Sequence, residues 1–392
     1  MKIVDVNEFY SPTGGGVRTY VDRKMAILAD MGHALTVIAP ARADAVEERP
    51  GGGRVVYVRA PRLPLDANYG LFWDAAPVTA LLDRIDPDVV ECSSPWRPAW
   101  IVADWRGRAL KAFFMHNDNV EAYPKRWFER VASGQAIERG FAWYSRYLGS
   151  FLERFDTVTT NGPALTRRMQ ARGVRVDATM TLGIDRTPFS PAHRDDRLRA
   201  ALLAQCGLHA DAHLLLGIGR HHPEKRWATI VDAVARVGAV APVGLVLIGE
   251  GVGTAQLERR AAGSPHIRLF RPVYDRALLA RIMASCDAYI HGSVSEPFGL
   301  VVSEALASGA PLIVPDVGGA AELARPPYAE TFSGGDAGTC AAAILRLLAR
   351  DRRVLRRAAG IAAATVRSDR EHAAALVDHY AACIAGRTAC AA

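Results

Sequence analysis

The 392-residue chain has no apolar run approaching the ~20 residues of a membrane-spanning helix. Its start, MKIVDVNEFYSP, lacks the apolar core of a secretory leader. The six cysteines, Cys92, Cys206, Cys286, Cys340, Cys383 and Cys390, never fall into CxxC spacing. That argues against a disulfide framework and a zinc ribbon, and reads as buried or free thiols in a reducing cytoplasm. No Ser-His-Asp arrangement has a recognisable context, and no His/Cys spacing suits zinc. Asp86 and Asp88 imitate a metal-binding DxD, but they precede the apolar run VVECSS and read as a turn entering a strand. No metal and no cofactor is therefore expected.

Half of the residues are hydrophobic and 23% are charged, the balance of an ordinary soluble globular protein. The net charge is +7, and residues 101–180 alone hold thirteen Lys plus Arg against eight Asp plus Glu. A basic segment suits an acidic substrate or an anionic membrane surface. Charge is the only argument for nucleic acid, and none is expected as a partner.

Short apolar runs alternate with helical patterns. KIVDV, ALTVIAP, VVYVRA, DVVECSS, KAFFMH and DTVTTN fall in the first half, and HLLLGIG, VGLVLIG, IRLF, AYIHG and PLIVPD in the second. Between them lie helices such as VRTYVDRKMAILADMG, TIVDAVARVG and ALLARIMASC. This alternation predicts parallel sheets covered on both faces, in two doubly wound α/β domains. The joint is expected near residues 182–199, which are rich in Pro and charge. Ligands of such sheets bind beyond the carboxyl ends of the strands, so two facing domains would form a cleft.

The stretch SEPFGLVVSEALASG holds Glu296 and Glu304 among apolar residues. Buried carboxylates need partners. Pro297 and Gly299 place Glu296 on a loop, and LVVSEALASG reads as a buried helix stopped at Gly309. Its start offers N–H groups at Gly299, Leu300 and Val301 to an anion, and a phosphate suits them. Eight residues span up to roughly 12 Å as helix, more than the roughly 5 to 9.5 Å of a hydrolytic carboxylate pair. Two hydroxyl-reading carboxylates flanking a diphosphate fit better, one for a sugar and one for a ribose.

Three further groups could join them. Arg220 and Lys225 follow the run HLLLGIG and could hold a diphosphate and stabilise charge on a leaving group. His116 ends KAFFMH, before Asn117 and Asp118, where it could donate to a sugar hydroxyl. Gly14, Gly15 and Gly16 precede a helix and permit close approach of a phosphate or sugar; no GK[ST] follows and the pattern is not GxGxxG. Phe141, Tyr144, Leu148, Phe151 and Phe155 recur at helical spacing and read as core. Tyr123, Lys125, Arg126, Trp127 and Phe128 instead suit peripheral contact with a membrane or a lipid-linked acceptor.

Together these motifs resemble the retaining glycosyltransferases of family 4. EPFGLVVSE is similar to their E-x7-E motif, GIGRHHPEK to their GRLxxxKG segment, and LGIDRTPFSP to their NGVDxxxFxP linker. The resemblance implies the GT-B fold: two facing Rossmann-like domains with an interdomain cleft. The acceptor domain would span 1–188, the nucleotide-sugar domain 189–368, and residues 369–392 would form a helix crossing back to the first. It implies a hexose moved from GDP-mannose or a UDP-hexose to a lipid-linked or saccharide acceptor, with retention and without metal, in glycolipid or surface polysaccharide synthesis. The usual proposal for such enzymes is front-face transfer, in which the leaving phosphate helps deprotonate the acceptor. Carried over by motif, Glu296 contacts the sugar and Glu304 the ribose. Gly299, Leu300 and Val301 present N–H groups, and Arg220 and Lys225 bind the diphosphate. Gly15 and Gly16 lie beside the donor, and His116 lies near its sugar. The enzyme would be cytoplasmic, on the inner face of the membrane where it is peripheral.

Two departures from the family pattern stand out. His291 replaces a proline, and Trp227 stands where a glycine usually follows the lysine, with Arg226 inserted. The alternatives are a nucleotide-sugar epimerase or phosphorylase of similar fold, or a non-catalytic sugar-nucleotide-binding protein.

Overall fold

Every apolar run named above forms a strand. The computed structural model describes residues 1–11, 16–63, 66–121, 124, 128, 133–296 and 298–391. It divides into two compact units, Met1–Leu182 with Asp369–Ala392, and Gly183–Ser368.

The first unit carries β1 (Lys2–Val6), β2 (Ala34–Ala41), β3 (Ala45–Glu48), β4 (Arg54–Arg59), β5 (Arg62–Leu63), β6 (Asp66–Gly70), β7 (Val89–Cys92), β8 (Leu110–Met115), β9 (Thr157–Thr160) and β10 (Ala178–Thr179). Its sheet runs β10-β9-β8-β7-β1-β2-β4-β3 among the described residues. All neighbours are parallel except β3, which pairs antiparallel with β4. β5 and β6 pair separately. Helices such as Gly16–Asp30, Arg97–Asp104 and Ala142–Leu152 connect the strands. The aromatic stripe is core: Tyr144, Leu148, Phe151 and Phe155 are buried, with Phe141 packed against them. Asp86 caps the Ala76–Ile85 helix in a left-handed conformation, and Asp88 Oδ2 accepts the Lys2 N–H at 2.6 Å, so both serve the turn.

The helix Asp369–Ala391 belongs to this unit and is keyed to it by polar contacts. Tyr380 Oη donates to Glu91 Oε2 at 2.5 Å, and Lys24 Nζ donates to Glu91 Oε1. All three side chains are buried. Burial disfavours the Glu91 charge, but Lys24 and the Tyr380 hydroxyl outweigh it and hold the carboxyl below its ordinary range. Tyr20 Oη lies 2.9 Å from His372 Nε2.

The second unit carries β11 (His213–Ile218), β12 (Val243–Ile248), β13 (Ile267–Phe270), β14 (Ala288–Ile290), β15 (Leu312–Pro315) and β16 (Ala329–Phe332), ordered β13-β12-β11-β14-β15-β16 and parallel throughout. The period of two in β12 shows why the runs are apolar without a break. Val246 and Ile248 enter one core cluster, while Val243, Leu245 and Leu247 enter the other. Helices cover both faces, so neither side of the strand meets water. Leu→Ala at such a position typically costs about 2 to 5 kcal/mol. The reversal of strand order between β11 and β14 brings the loops after both strands to one sheet end. That is where this architecture binds ligands.

Candidate active site

The loop after β11 is built around an approach of two backbones. A Cβ on Gly249 would lie 2.0 Å from the Gly219 carbonyl oxygen, so only glycine fits there. Beyond it, His221 is buried, with Nδ1 2.9 Å from Thr254 Oγ1. Pro223–Lys225 form one 3-10 turn, and Arg226 then adopts a left-handed φ of 50° to open the helix Trp227–Gly238. This accounts for the family's glycine after the lysine: the residue following Lys225 needs a positive φ, at a cost of roughly 1 kcal/mol for a side chain with a Cβ. Trp227 lies buried over Gly217 and Gly219, and its Nε1 donates to the Arg220 carbonyl at 3.0 Å. The departure at Arg226 and Trp227 thus leaves the Lys225 turn intact.

The loop after β14 brings in the carboxylate. Glu296 Oε2 accepts from Lys225 Nζ at 2.7 Å, and His291 Nε2 lies 3.1 Å from the same oxygen. Lys225 and Glu296 are 15% and 16% exposed, and His291 is 1% exposed. Burial alone would raise the Glu296 carboxyl, but Lys225 and His291 outweigh it and hold it well below the usual carboxylate range. His291, seen in the sequence only as a departure from the pattern, is therefore a partner of the first glutamate.

Gly299 follows with φ 84°, a conformation that favours glycine, and opens the helix Leu300–Ala307 without a side-chain cap. The first N–H groups of a helix have no intrahelical acceptor. The Gly299–Val301 backbone thus offers donors and positive dipole character beside the Lys225–Glu296 pair. One turn on, Glu304 is 13% exposed, and its Oε1 lies 3.5 Å from an Arg276 guanidinium nitrogen. Arg276 also stacks over Phe189, 5.1 Å from the ring centroid. Nothing in the sequence pairs Arg276 with Glu304, since it lies on a different helix.

Other expected residues stand apart. The Arg220 side chain is 75% exposed and pairs with Glu224 at 2.9 Å. It is near Lys225 in the chain but does not join the buried pair. His116 lies in the first unit, against Tyr20 and Phe114 at centroid distances of 5.1 and 4.5 Å. Burial lowers its pKa to about 4. It is neutral near pH 7 and can exchange hydrogen bonds without carrying charge. Asp118, two residues on, is buried and accepts from Arg172 at 2.7 Å with both oxygens, a structural role. Gly16 opens the Gly16–Asp30 helix. Gly14 and Gly15 lie outside the described residues, as do Tyr123, Lys125, Arg126 and Trp127. Phe128 is described and exposed. Among the described residues no His, Cys, Asp or Glu are grouped to hold a metal ion, and no helix is long and apolar enough to cross a membrane.

Two family models match this chain. Residues 14–181 match the model described as Glycosyltransferase Family 4, and residues 212–350 the model described as Glycosyl transferases group 1. The chain belongs to this glycosyltransferase family. Its glycosyltransferase relatives include a GDP-mannose-dependent alpha-(1-6)-phosphatidylinositol dimannoside mannosyltransferase of Mycobacterium tuberculosis, 28% identical over 80% of this chain and 79% of that protein. A GDP-mannose-dependent alpha-mannosyltransferase of Mycolicibacterium smegmatis is 29% identical over 90% of each chain. Among solved structures, a sucrose-phosphate synthase from Thermosynechococcus elongatus superposes with a TM-score of 0.76 at 21% identity, covering 98% of this chain and 100% of the other. The catalytic domain of starch synthase IV from Arabidopsis thaliana gives 0.68 at 18%, over 98% and 99%. These structural neighbours have the GT-B architecture, in keeping with two parallel-sheet α/β units here.

Proposed function

We propose that this glycosyltransferase moves a mannosyl unit from GDP-mannose to a saccharide or lipid-linked acceptor, with retention and without a divalent metal, in glycolipid or surface polysaccharide synthesis. The observation that carries the reading is the Lys225–Glu296 pair at 2.7 Å, set beside the uncapped start of the Leu300–Ala307 helix. A nucleoside diphosphate needs positive charge at its phosphates and acceptors at its hydroxyls, and this corner of the second unit offers both.

In this reading Lys225 and Arg220 take the diphosphate, and the N–H groups of Gly299, Leu300 and Val301 complete its cradle. Lys225 and the helix start supply the positive charge that other enzymes draw from a metal. Glu296, ionised at any working pH, accepts from hydroxyls of the donor sugar. Glu304 accepts from the ribose. His116 of the first unit, neutral near pH 7, is kept as a candidate donor to a substrate hydroxyl. The leaving phosphate helps remove the acceptor proton on the same face, which preserves the anomeric configuration. The choice of guanine and mannose is supported by the relatives above, whose names specify GDP-mannose. A lipid-linked acceptor fits peripheral contact with an anionic membrane around residues 123–128, where the Phe128 ring is exposed.

Turnover with GDP-mannose, UDP-glucose, UDP-galactose and ADP-glucose tests the proposal. Free GDP should form from GDP-mannose only when an acceptor is present, and the product should keep the α configuration by NMR. Turnover confined to a UDP- or ADP-sugar would overturn the donor assignment. An inverted product would overturn retention. Conversion of the nucleotide sugar without acceptor would favour the epimerase reading.

A further inference from the structure

The second unit has a second basic pocket, built from different elements. The helix Arg352–Ala363 presents Arg353, Arg356 and Arg357, whose i, i+3, i+4 spacing puts them on one face. They line a pocket with Arg194, Ser308 and Gly309. Ser308 caps the C-terminal end of the Leu300–Ala307 helix, so the pocket lies at the opposite end of that helix from Gly299.

The charges in this pocket are not balanced. Arg194 is engaged: its Nε lies 2.9 Å from Asp196 Oδ1, and one terminal nitrogen lies 3.4 Å from the Ser285 and Cys286 carbonyl oxygens. Asp287 is 3.9 Å from Arg194 but is held at 2.6 Å by Arg199. Asp351 caps its own helix by accepting the Arg353 and Val354 N–H groups. Among the described residues the side chains of Arg353, Arg356 and Arg357 form no hydrogen bond or ion pair, and Asp196 and Asp287 reach Arg356 only as more distant charges. The three arginines are exposed, and with Arg194 they present like charges to one concavity. Burial, and then the neighbouring Arg194, pull the Arg356 guanidinium below its ordinary value.

We propose that this pocket binds a phosphate-bearing anion, separate from the donor diphosphate. Guanidinium forks match phosphate oxygens bidentately, and three such forks plus Arg194 suit a phosphomonoester, a phosphodiester headgroup or a pyrophosphate. The anion would remove the mutual repulsion of the four cations. Two sources share this chemistry: a soluble phosphate compound and the headgroup of an anionic phospholipid.

The experiment uses the full chain at fixed ionic strength, because screening would otherwise dominate. Inorganic phosphate and pyrophosphate are titrated by calorimetry, and flotation is measured with phosphatidylglycerol and with phosphatidylcholine vesicles. The variants are the triple R353A/R356A/R357A, a charge-matched control R106A/R108A/R259A, and K225A. The expected result is binding in at least one arm that falls at least tenfold in the triple variant while K225A and the control retain it. Soluble-anion binding identifies a free phosphate compound; binding confined to phosphatidylglycerol vesicles identifies a headgroup. The triple variant should keep its turnover on a soluble acceptor, which certifies its fold. No binding in either arm would overturn the proposal. So would an equal fall in the control, which reports net charge alone, or a fall in K225A with none in the triple variant, which reports the donor site.

Discussion

Lys225 Nζ and His291 Nε2 converge on one oxygen, Glu296 Oε2, at 2.7 and 3.1 Å. The three residues come from two loops of the second unit. The lysine and the glutamate form an ion pair that offsets both charges. Each side chain is therefore held in place by the other.

Lys225→Ala should lower turnover by more than tenfold, since a positioned charge at a developing oxyanion is typically worth about 3 to 4 kcal/mol. It should also lower stability, because Glu296 would stay buried with its main cation gone. Removing one partner of a buried pair costs about 3 to 5 kcal/mol at the extreme; this partly exposed pair should cost less. Arg220→Ala should also lower turnover by more than tenfold, but with an unchanged melting temperature, because its side chain is exposed. Steady-state rates and thermal unfolding of both variants check this. Near-normal rates in both would remove the diphosphate assignment.

The two glutamates should fail differently. Glu296→Gln keeps its shape and loses its charge, so turnover should fall strongly while GDP binding changes little. Glu304→Gln should weaken GDP binding by about 1.5 to 3 kcal/mol, the range for a lost charged hydrogen bond. Calorimetry with GDP alone separates them, because GDP has a ribose and no sugar. Equal losses would contradict the division. Unchanged affinity in the Glu304 variant would leave its contact with Arg276 as that residue's role.

Activity should persist in excess EDTA. Under the proposed function, Lys225 and the N–H groups at the Leu300–Ala307 helix start would carry the phosphate charge in place of a metal. Rates measured with EDTA, and after adding Mg²⁺ or Mn²⁺, decide it: complete loss that either ion restores would refute metal independence.

Acid should loosen the C-terminal helix through His372. Burial, foremost, lowers its pKa to about 4. A group depressed in this way contributes stability that is present above its unfolded value, about 6.5, and is lost as pH falls through about 4. Glu8 opposes it: burial raises its pKa to about 7, so its contribution is full below its unfolded value near 4.5 and is lost as pH rises through about 7. Between pH 6.5 and 4.5 the two slopes have opposite signs. Glu8→Gln should therefore steepen the acid loss of stability, and His372→Asn should flatten it. Urea unfolding across that window reads both, and identical profiles for the two variants would show that neither group titrates as described.

Local chemistry determined much of this protein. Each apolar run with turn residues at its ends became a strand, because a strand buried on both faces must be apolar at every position, as β12 is. Gly299 and the apolar stretch behind it settled where the Leu300–Ala307 helix begins. β3, β5, β6, β10 and β16 were not legible. They are short or polar, and exist because a neighbour supplies their hydrogen bonds. The tertiary structure alone decided what the buried carboxylates touch. Lys225 is 71 residues from Glu296 in the chain, and Arg276 lies on a separate helix from Glu304. It turned Arg220 outward to Glu224, and it brought Arg194 to the arginine face of a helix more than 150 residues on. Periodicity reports which face of an element is buried. Which charges meet depends on loops that follow different strands of one sheet, and only the assembled sheet brings those loops to the same end.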